Sequence, residues 1–287
     1  MKIVETKKAA REIIRKWKRR GLRIGLVPTM GYFHEGHLSL MDKCHELADK
    51  VAVSLFVNPA QFAPNEDLSS YPRDRERDLA LADRHNVDLV FIPGDKEMYA
   101  PGHKTWVTVE GLTSEMCGRS RPTHFRGVAT VVTKLFNIIT PDVAVFGEKD
   151  FQQLQVIRRM THDLDMPVEI VGHPIVREPD GLAMSSRNSY LSKEERRSAL
   201  CLSQALDLAE HLVKQQGIRN CSDLRQALAE KIEAFPFAGI DYIFTGDPET
   251  LESKDTINNK LLVALAVFVG ATRLIDNRVI TLEADTK

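Results

Sequence analysis

Cysteine is scarce and scattered: Cys44, Cys117, Cys201 and Cys221 show no CxxC spacing. That excludes a disulfide framework and a cysteine zinc cluster, and it suits a reducing cytoplasm. Long apolar runs are missing too. The longest, residues 261–269, has nine residues, against about 20 for a membrane helix. The first 21 residues carry charge but no apolar h-region, so neither a secretory leader nor a membrane partner is expected. Charge of one sign is not in excess either. Thirty-nine Lys and Arg against forty Asp and Glu leave a net charge of −1, which argues against a general electrostatic grip on nucleic acid. What is present is 43% hydrophobic residues in 287, enough for a sizeable core and incompatible with disorder.

Residues 2–20 hold nine Lys or Arg against two Glu, with apolar Ile13, Ile14 and Trp17. A basic amphipathic helix of this kind can touch RNA or a membrane surface. The neutral total favours a surface helix packed by its apolar stripe. From residue 24 on, strand patterns (24–28, 51–57, 89–92, 143–146, 168–171) alternate with helical ones (38–48, 73–84, 128–139, 152–163). This alternation predicts βαβ units in an α/β, Rossmann-like, doubly wound parallel sheet. Its ligands bind beyond the carboxyl ends of the strands. After about residue 177 the texture changes: helices over 193–215 and 223–234, then strands over 242–245, 261–269 and 272–275. The expected division is a Rossmann-like domain over 1–176 and a smaller C-terminal α+β domain over 177–287.

The first strand runs into Pro28-Thr29-Met30-Gly31-Tyr32-Phe33-His34-Glu35-Gly36-His37. With a helix starting there, His34 and His37 share a face at its N-terminus. Gly36 lets a phosphate approach the backbone, and the helix dipole favours an anion. The spacing excludes an HExxH zinc protease, whose histidines stand four apart. Asn58 and Gln61 follow the second strand and offer neutral amides to polar groups. Lys149, just past the strand over 143–146, is a compact cation suited to phosphate oxygens. Ser185, Ser186 and Arg187 supply two hydroxyls and a guanidinium, which suit a polar interdomain linker that caps the next helix and equally a clamp for phosphate. The sign-alternating run from Arg73 to Asp78 reads as a solvated helix face.

The stretch from Pro28 to His37 resembles the ATP signature of the pantothenate synthetase family, in the HxGH nucleotidyltransferase superfamily that includes class I aminoacyl-tRNA synthetases. Blocks in the same order carry the resemblance on: Phe56-Val57-Asn58-Pro59-Ala60-Gln61-Phe62, Tyr71-Pro72-Arg73, Arg121-Pro122-Thr123-His124-Phe125-Arg126-Gly127-Val128, Phe146-Gly147-Glu148-Lys149-Asp150-Phe151-Gln152-Gln153 and Met184-Ser185-Ser186-Arg187-Asn188. Thr123 stands where the family usually has Gly, and Tyr32-Phe33 where Ala-Leu is common.

The resemblance implies an ATP site made by Met30, Gly31, His34, Gly36, His37, Gly147, Glu148, Lys149, Asp150, Val176, Met184, Ser185, Ser186 and Arg187. It implies pantoate and β-alanine contacts at Asn58, Gln61, Tyr71, Arg121, His124 and Gln153, with Phe62 and Val132 sheltering pantoate's methyl groups. His37, His34, Lys149, Ser185, Ser186 and Arg187 are the implied catalytic residues, His37 as proton donor. ATP is the implied substrate and Mg²⁺ its companion, with ligands unassigned, in a cytoplasmic homodimer. The implied reaction is ATP-dependent condensation of (R)-pantoate with β-alanine to pantothenate, AMP and diphosphate through a pantoyl adenylate. Two other readings are weaker. A nucleotidyltransferase that stops at the adenylate is opposed by the Asn-Gln and Arg-Pro-x-His blocks. An RNA-binding module is opposed by the neutral charge and the lack of an aromatic-basic repeat.

Overall fold

The computed structural model describes residues 1–64 and 66–282. Two compact units are present: Met1–Glu148 with Gln152–Ile175, and Lys149–Phe151 with the chain from Val176 on.

In the first unit the elements run β1 (Lys2–Val4), α1 (Lys7–Lys18), β2 (Ile24–Thr29), α2 (Glu35–Leu47), β3 (Lys50–Leu55), α3 (Arg75–Arg84), β4 (Leu89–Phe91), α4 (Asp95–Met98), α5 (Cys117–Ser120), α6 (His124–Ile139), β5 (Val143–Gly147), α7 (Phe151–Asp163) and β6 (Glu169–His173). The six strands form one parallel sheet in the order β1-β4-β3-β2-β5-β6. Alternate residues of β2 face opposite ways. Ile24 and Leu26 join the core containing α1 and α6, while Val27 packs with Leu38 and Met41 of α2. Both faces are covered, which is why the strands read as unbroken apolar runs. From β2 the chain first winds outward through β3 and β4, then returns to β5 on the other side of β2. That reversal opens a crevice at the carboxyl ends of β2 and β5.

Two departures from the sequence reading, at residues 2–4 and at the start of α6, have physical causes. Residues 2–4 leave the basic stretch to form an edge strand against β4. Helix α1 then starts after the Thr6 cap and buries Ala10, Ile14 and Trp17, so its apolar stripe faces the core. Helix α6 begins at His124 rather than near 128, because its buried face already starts at Phe125. A Cβ at Gly127 would come 2.3 Å from the Ala60 carbonyl oxygen, so this glycine lets α6 lie against the turn at Pro59–Gln61.

The second unit holds α8 (Lys193–Ser198), α9 (Cys201–Lys214) and α10 (Cys221–Glu233). An antiparallel sheet β7 (Ala238–Gly246), β8 (Lys260–Val269) and β9 (Thr272–Thr281) completes it. The expected helix over 193–215 is therefore two helices. Bonds from Leu200 N to Arg197 O and from Leu202 N to Ala199 O tighten the turn between them. Strands β7 and β9 run longer than expected because backbone pairing continues past their apolar centres. Leu202, Leu206, Leu224 and Leu228 pack against Leu261, Val263 and Leu265 of β8 in one core. All four cysteines are buried, two in each unit, and none is bonded to another. Among the described residues no helix is long and apolar enough to cross a membrane.

Candidate active site

The turn after β2 is built on unusual backbone. Gly31 (φ 89°) and Tyr32 (φ 54°) are consecutive left-handed residues, a conformation that glycine tolerates and tyrosine adopts only when held. His34 then caps α2: its Nδ1 accepts the Gly36 N–H at 3.1 Å, and His37 Nδ1 accepts the His34 N–H at 3.4 Å. The rings lie 4.1 Å apart, centroid to centroid. With Nδ1 of each ring accepting, a neutral imidazole carries its proton on Nε2. Both histidines thus present N–H donors beside a helix N-terminus, the arrangement an anion requires.

The run from Arg73 to Asp78 needs one correction. Arg73 through Arg77 are exposed, but Asp78 is 1% exposed. It shares a face of α3 with buried Ala82, and its carboxylate accepts the N–H groups of Tyr32 and Phe33, both at 2.7 Å. Burial raises this carboxyl above its ordinary range even though the two backbone N–H groups favour its charged form. Sequence reading misses it because the surrounding charges are solvated. The four-residue spacing to Ala82 is the available signal.

Asn58 and Gln61 flank a short 3₁₀ turn after β3 and are both buried. The Asn58 amide donates to Gln61 Oε1 (3.1 Å) and Gly127 O (3.2 Å), and its oxygen accepts from Tyr99 Oη (2.9 Å) and Ala60 N (3.3 Å). Its capacity is spent inside the protein, so it fixes Gln61. The Gln61 amide contacts Met30 Sδ at 3.2 Å, while its backbone carbonyl meets Arg121 Nη2 (3.3 Å) and His124 Nδ1 (3.0 Å). Met30, Asn58, Gln61, Arg121 and His124 are thus linked in one chain of contacts. Arg121 also grips Glu66 with two bonds of 2.7 and 2.5 Å. Burial alone would raise Glu66, but the hydrogen bonds and charge of Arg121 outweigh it and bring it below the usual carboxylate range.

A cavity of about 820 Å³ opens in this unit, with Met30, Phe56, Phe62, Glu66 and Asp78 in its wall. That volume suits a small-molecule site. Tyr71 is buried, its ring edge-on to Phe62 at 6.0 Å, and Val132 belongs to the core beneath α6. The paired glutamines of α7 divide. Gln152 is buried and binds Cys117 N, Leu112 O and Glu115 O, whereas Gln153 is half-buried. Gly147 ends β5, followed by Glu148 in a 3₁₀ turn.

Lys149, Asp150, Val176, Met184, Ser185, Ser186 and Arg187 belong to the second unit. The Lys149 ammonium stands 3.6 Å from the Asp150 carboxylate, and its carbonyl accepts from Asn277 at 3.0 Å. Ser185 Oγ accepts the Arg187 N–H and starts a 3₁₀ turn, Ser186–Tyr190. The strap before it is pinned by Arg177, which binds Asp276 through two bonds of 2.7 and 2.9 Å and also the Gly181 carbonyl. Asn188 ties the turn back to Glu178 and Ala183.

The family model described as pantoate-beta-alanine ligase matches residues 2–279. A pantothenate synthetase from Acetivibrio thermocellus is 54% identical over 280 residues, covering 98% of this chain and 99% of that protein. One from Syntrophobacter fumaroxidans is 56% identical over 277 residues, covering 96% and 98%. The crystal structure of pantothenate synthetase from Thermus thermophilus superposes with a TM-score of 0.91 at 46% identity, covering 97% of this chain and 99% of that one. A pantoate-beta-alanine ligase from Francisella tularensis, complexed with beta-gamma ATP and beta-alanine, gives 0.80 at 32% identity and covers 97% of each. With its histidine turn at the end of β2 and these matches along nearly its whole length, the chain belongs to the pantoate-beta-alanine ligase family of enzymes.

Proposed function

We propose that this protein condenses (R)-pantoate with β-alanine, using ATP, to give pantothenate, AMP and diphosphate through a pantoyl adenylate. The observation that carries the reading is the pair His34 and His37, aimed from a helix N-terminus at the end of β2 in a chain that matches ligases of this family end to end. The ATP and β-alanine complex of the Francisella relative supports two of the three substrates.

A carboxylate is a poor electrophile, so it must be activated before an amine can attack. In the first step a pantoate carboxylate oxygen attacks the α-phosphorus, the bond to the bridging oxygen breaks, and diphosphate leaves. Such chemistry rests on positioning and on donors that neutralise growing charge. The Nε2 donors of His34 and His37, the Lys149 ammonium and the Ser185, Ser186 and Arg187 side chains take that role, each on its own unit. Gly36 at the helix N-terminus lets a phosphate approach the backbone, and Gly147, where a Cβ would meet nothing within 4 Å, leaves room for the nucleotide. In the second step the neutral β-alanine nitrogen attacks the acyl carbon, the C–O bond to AMP breaks, and the nitrogen's proton passes to water or to AMP. Gln61, held by Asn58, orients pantoate, with Gln153, Tyr71, Arg121 and His124 as further contacts.

Magnesium is held largely by phosphate oxygens with one or two carboxylates in sites of this class. Asp150, whose side chain is half exposed, fits that donor set, and no group of three His, Cys, Asp or Glu suited to a metal occurs among the described residues. When bound, the ion offsets charge on the departing diphosphate. A cytoplasmic homodimer belongs to the same reading, the dimer resting on the family resemblance and the location on the scattered cysteines and the ATP requirement; light scattering tests the dimer.

Isotope exchange between diphosphate and ATP tests the two-step scheme. Exchange is expected with pantoate present and β-alanine absent. Exchange that requires β-alanine, or that ignores pantoate, would falsify the adenylate.

A further inference from the structure

The buried carboxylate of α3 has no part in the reaction just described, yet it sits under the turn that carries the histidines. Its two oxygens divide the work. Oδ2 takes the Tyr32 N–H and Oδ1 the Phe33 N–H, each at 2.7 Å. Successive N–H groups at a left-handed turn form a concave anion-binding nest, and here the protein fills the nest with its own aspartate. Gly31 is fitted to the same group: a Cβ there would stand 2.9 Å from Asp78 Oδ2. The residue directly after the clamped pair is His34, whose N–H reaches His37 and whose ring caps the helix. The chain Asp78, Tyr32-Phe33, His34, His37 is therefore continuous in hydrogen bonds and backbone.

We propose that Asp78 is a positioning residue for the reaction, holding the left-handed turn at Gly31 and Tyr32 so that both imidazoles aim their Nε2 donors at the nucleotide. This deepens the function proposed above and rests on it. The fold does not need the charge for its own sake. Burial makes the ionised carboxylate unfavourable here, and a neutral group of the same shape would relieve that cost. A carboxylate kept at such a place is explained by what it holds. An asparagine offers one acceptor oxygen and turns an amide toward the other N–H, so one of the two anchors is lost.

Asp78→Asn and Asp78→Ser, each compared with the unaltered chain, test this by pantothenate formation, thermal melting and NMR of the His34 and His37 ring signals. In whichever variant is folded, kcat is expected to fall about 10- to 100-fold, the effect of displacing reacting groups by about an ångström. The KM for β-alanine is expected to stay within about twofold, and the ring signals of both histidines are expected to shift. A purely structural aspartate would lower the melting temperature without moving those signals in the folded variant. Unchanged kcat, unmoved ring signals, or loss of folding in both variants overturns the proposal. If the unaltered chain makes no pantothenate, that failure belongs to the proposed reaction, and the ring signals alone decide the clamp.

Discussion

The two units hold their candidate site residues by different means. In the parallel-sheet unit the histidine turn is secured through backbone: two N–H groups on one buried carboxylate, and a helix N-terminus capped by His34. In the second unit the turn at Ser185 to Arg187 is secured through side chains. Arg177 reaches Asp276, and Arg196 reaches Glu178 and Asp180. Backbone anchoring fixes direction at a strand end and changes little with salt. Guanidinium anchoring spans longer loops but rests partly on charges near solvent, which salt screens. The histidine turn is thus anchored through its backbone, while the turn at Ser185 to Arg187 hangs on a strap with one buried anchor.

Perturbations on each side sharpen this contrast, and the largest effect belongs to the histidines. His37→Ala is expected to lower kcat by about 10²- to 10³-fold with the melting temperature nearly kept, because it removes one preorganised donor. Single-turnover kinetics of the proposed adenylation step check it, and wild-type speed would remove His37 from the proposed chemistry. Next is Arg177→Ala, which strands a carboxylate that is 1% exposed in its side chain. A loss of about 3–5 kcal/mol is expected, measured by urea unfolding, and a loss below about 1 kcal/mol would show that this anchor is not the one holding the strap.

The smallest effect is at Asp247 in the second unit. Its hydrogen bond from Lys254, then the N–H groups of Thr250 and Glu249, hold its carboxyl down at about 2. Its folded value lies below the unfolded one of about 3.9. The stability it contributes is therefore present above that pH and lost as pH falls through about 2. Asp247→Asn should flatten acid unfolding in this window while costing no more than about 1 kcal/mol at neutral pH; an unchanged acid profile would count against it.

Much of the fold can be read from the chain because parallel strands buried on both faces leave continuous apolar runs, and the candidate site residues follow their carboxyl ends. His34, His37, Asn58 and Gln61 are found that way. Features set by contact rather than pattern stay hidden. The strand Lys2–Val4 is too short for any period and exists only because β4 pairs with it. The break between α8 and α9 contains neither proline nor glycine. Asn58 reads as a ligand group from its position, and only the structure shows its amide committed to Gln61 and Gly127. Asp78 is concealed by its neighbours, since five exposed residues before it set the expectation of a wet surface.

The buried thiols make each unit report its own breathing. Burial pushes Cys44 beneath β2 and Cys201 at the start of α9 up to about 12, so neither ionises or meets a reagent while its surroundings stay closed. Alkylation of the native protein therefore tracks the opening around each thiol, and mass spectrometry of the two peptides follows both halves in one sample without introducing any foreign label site.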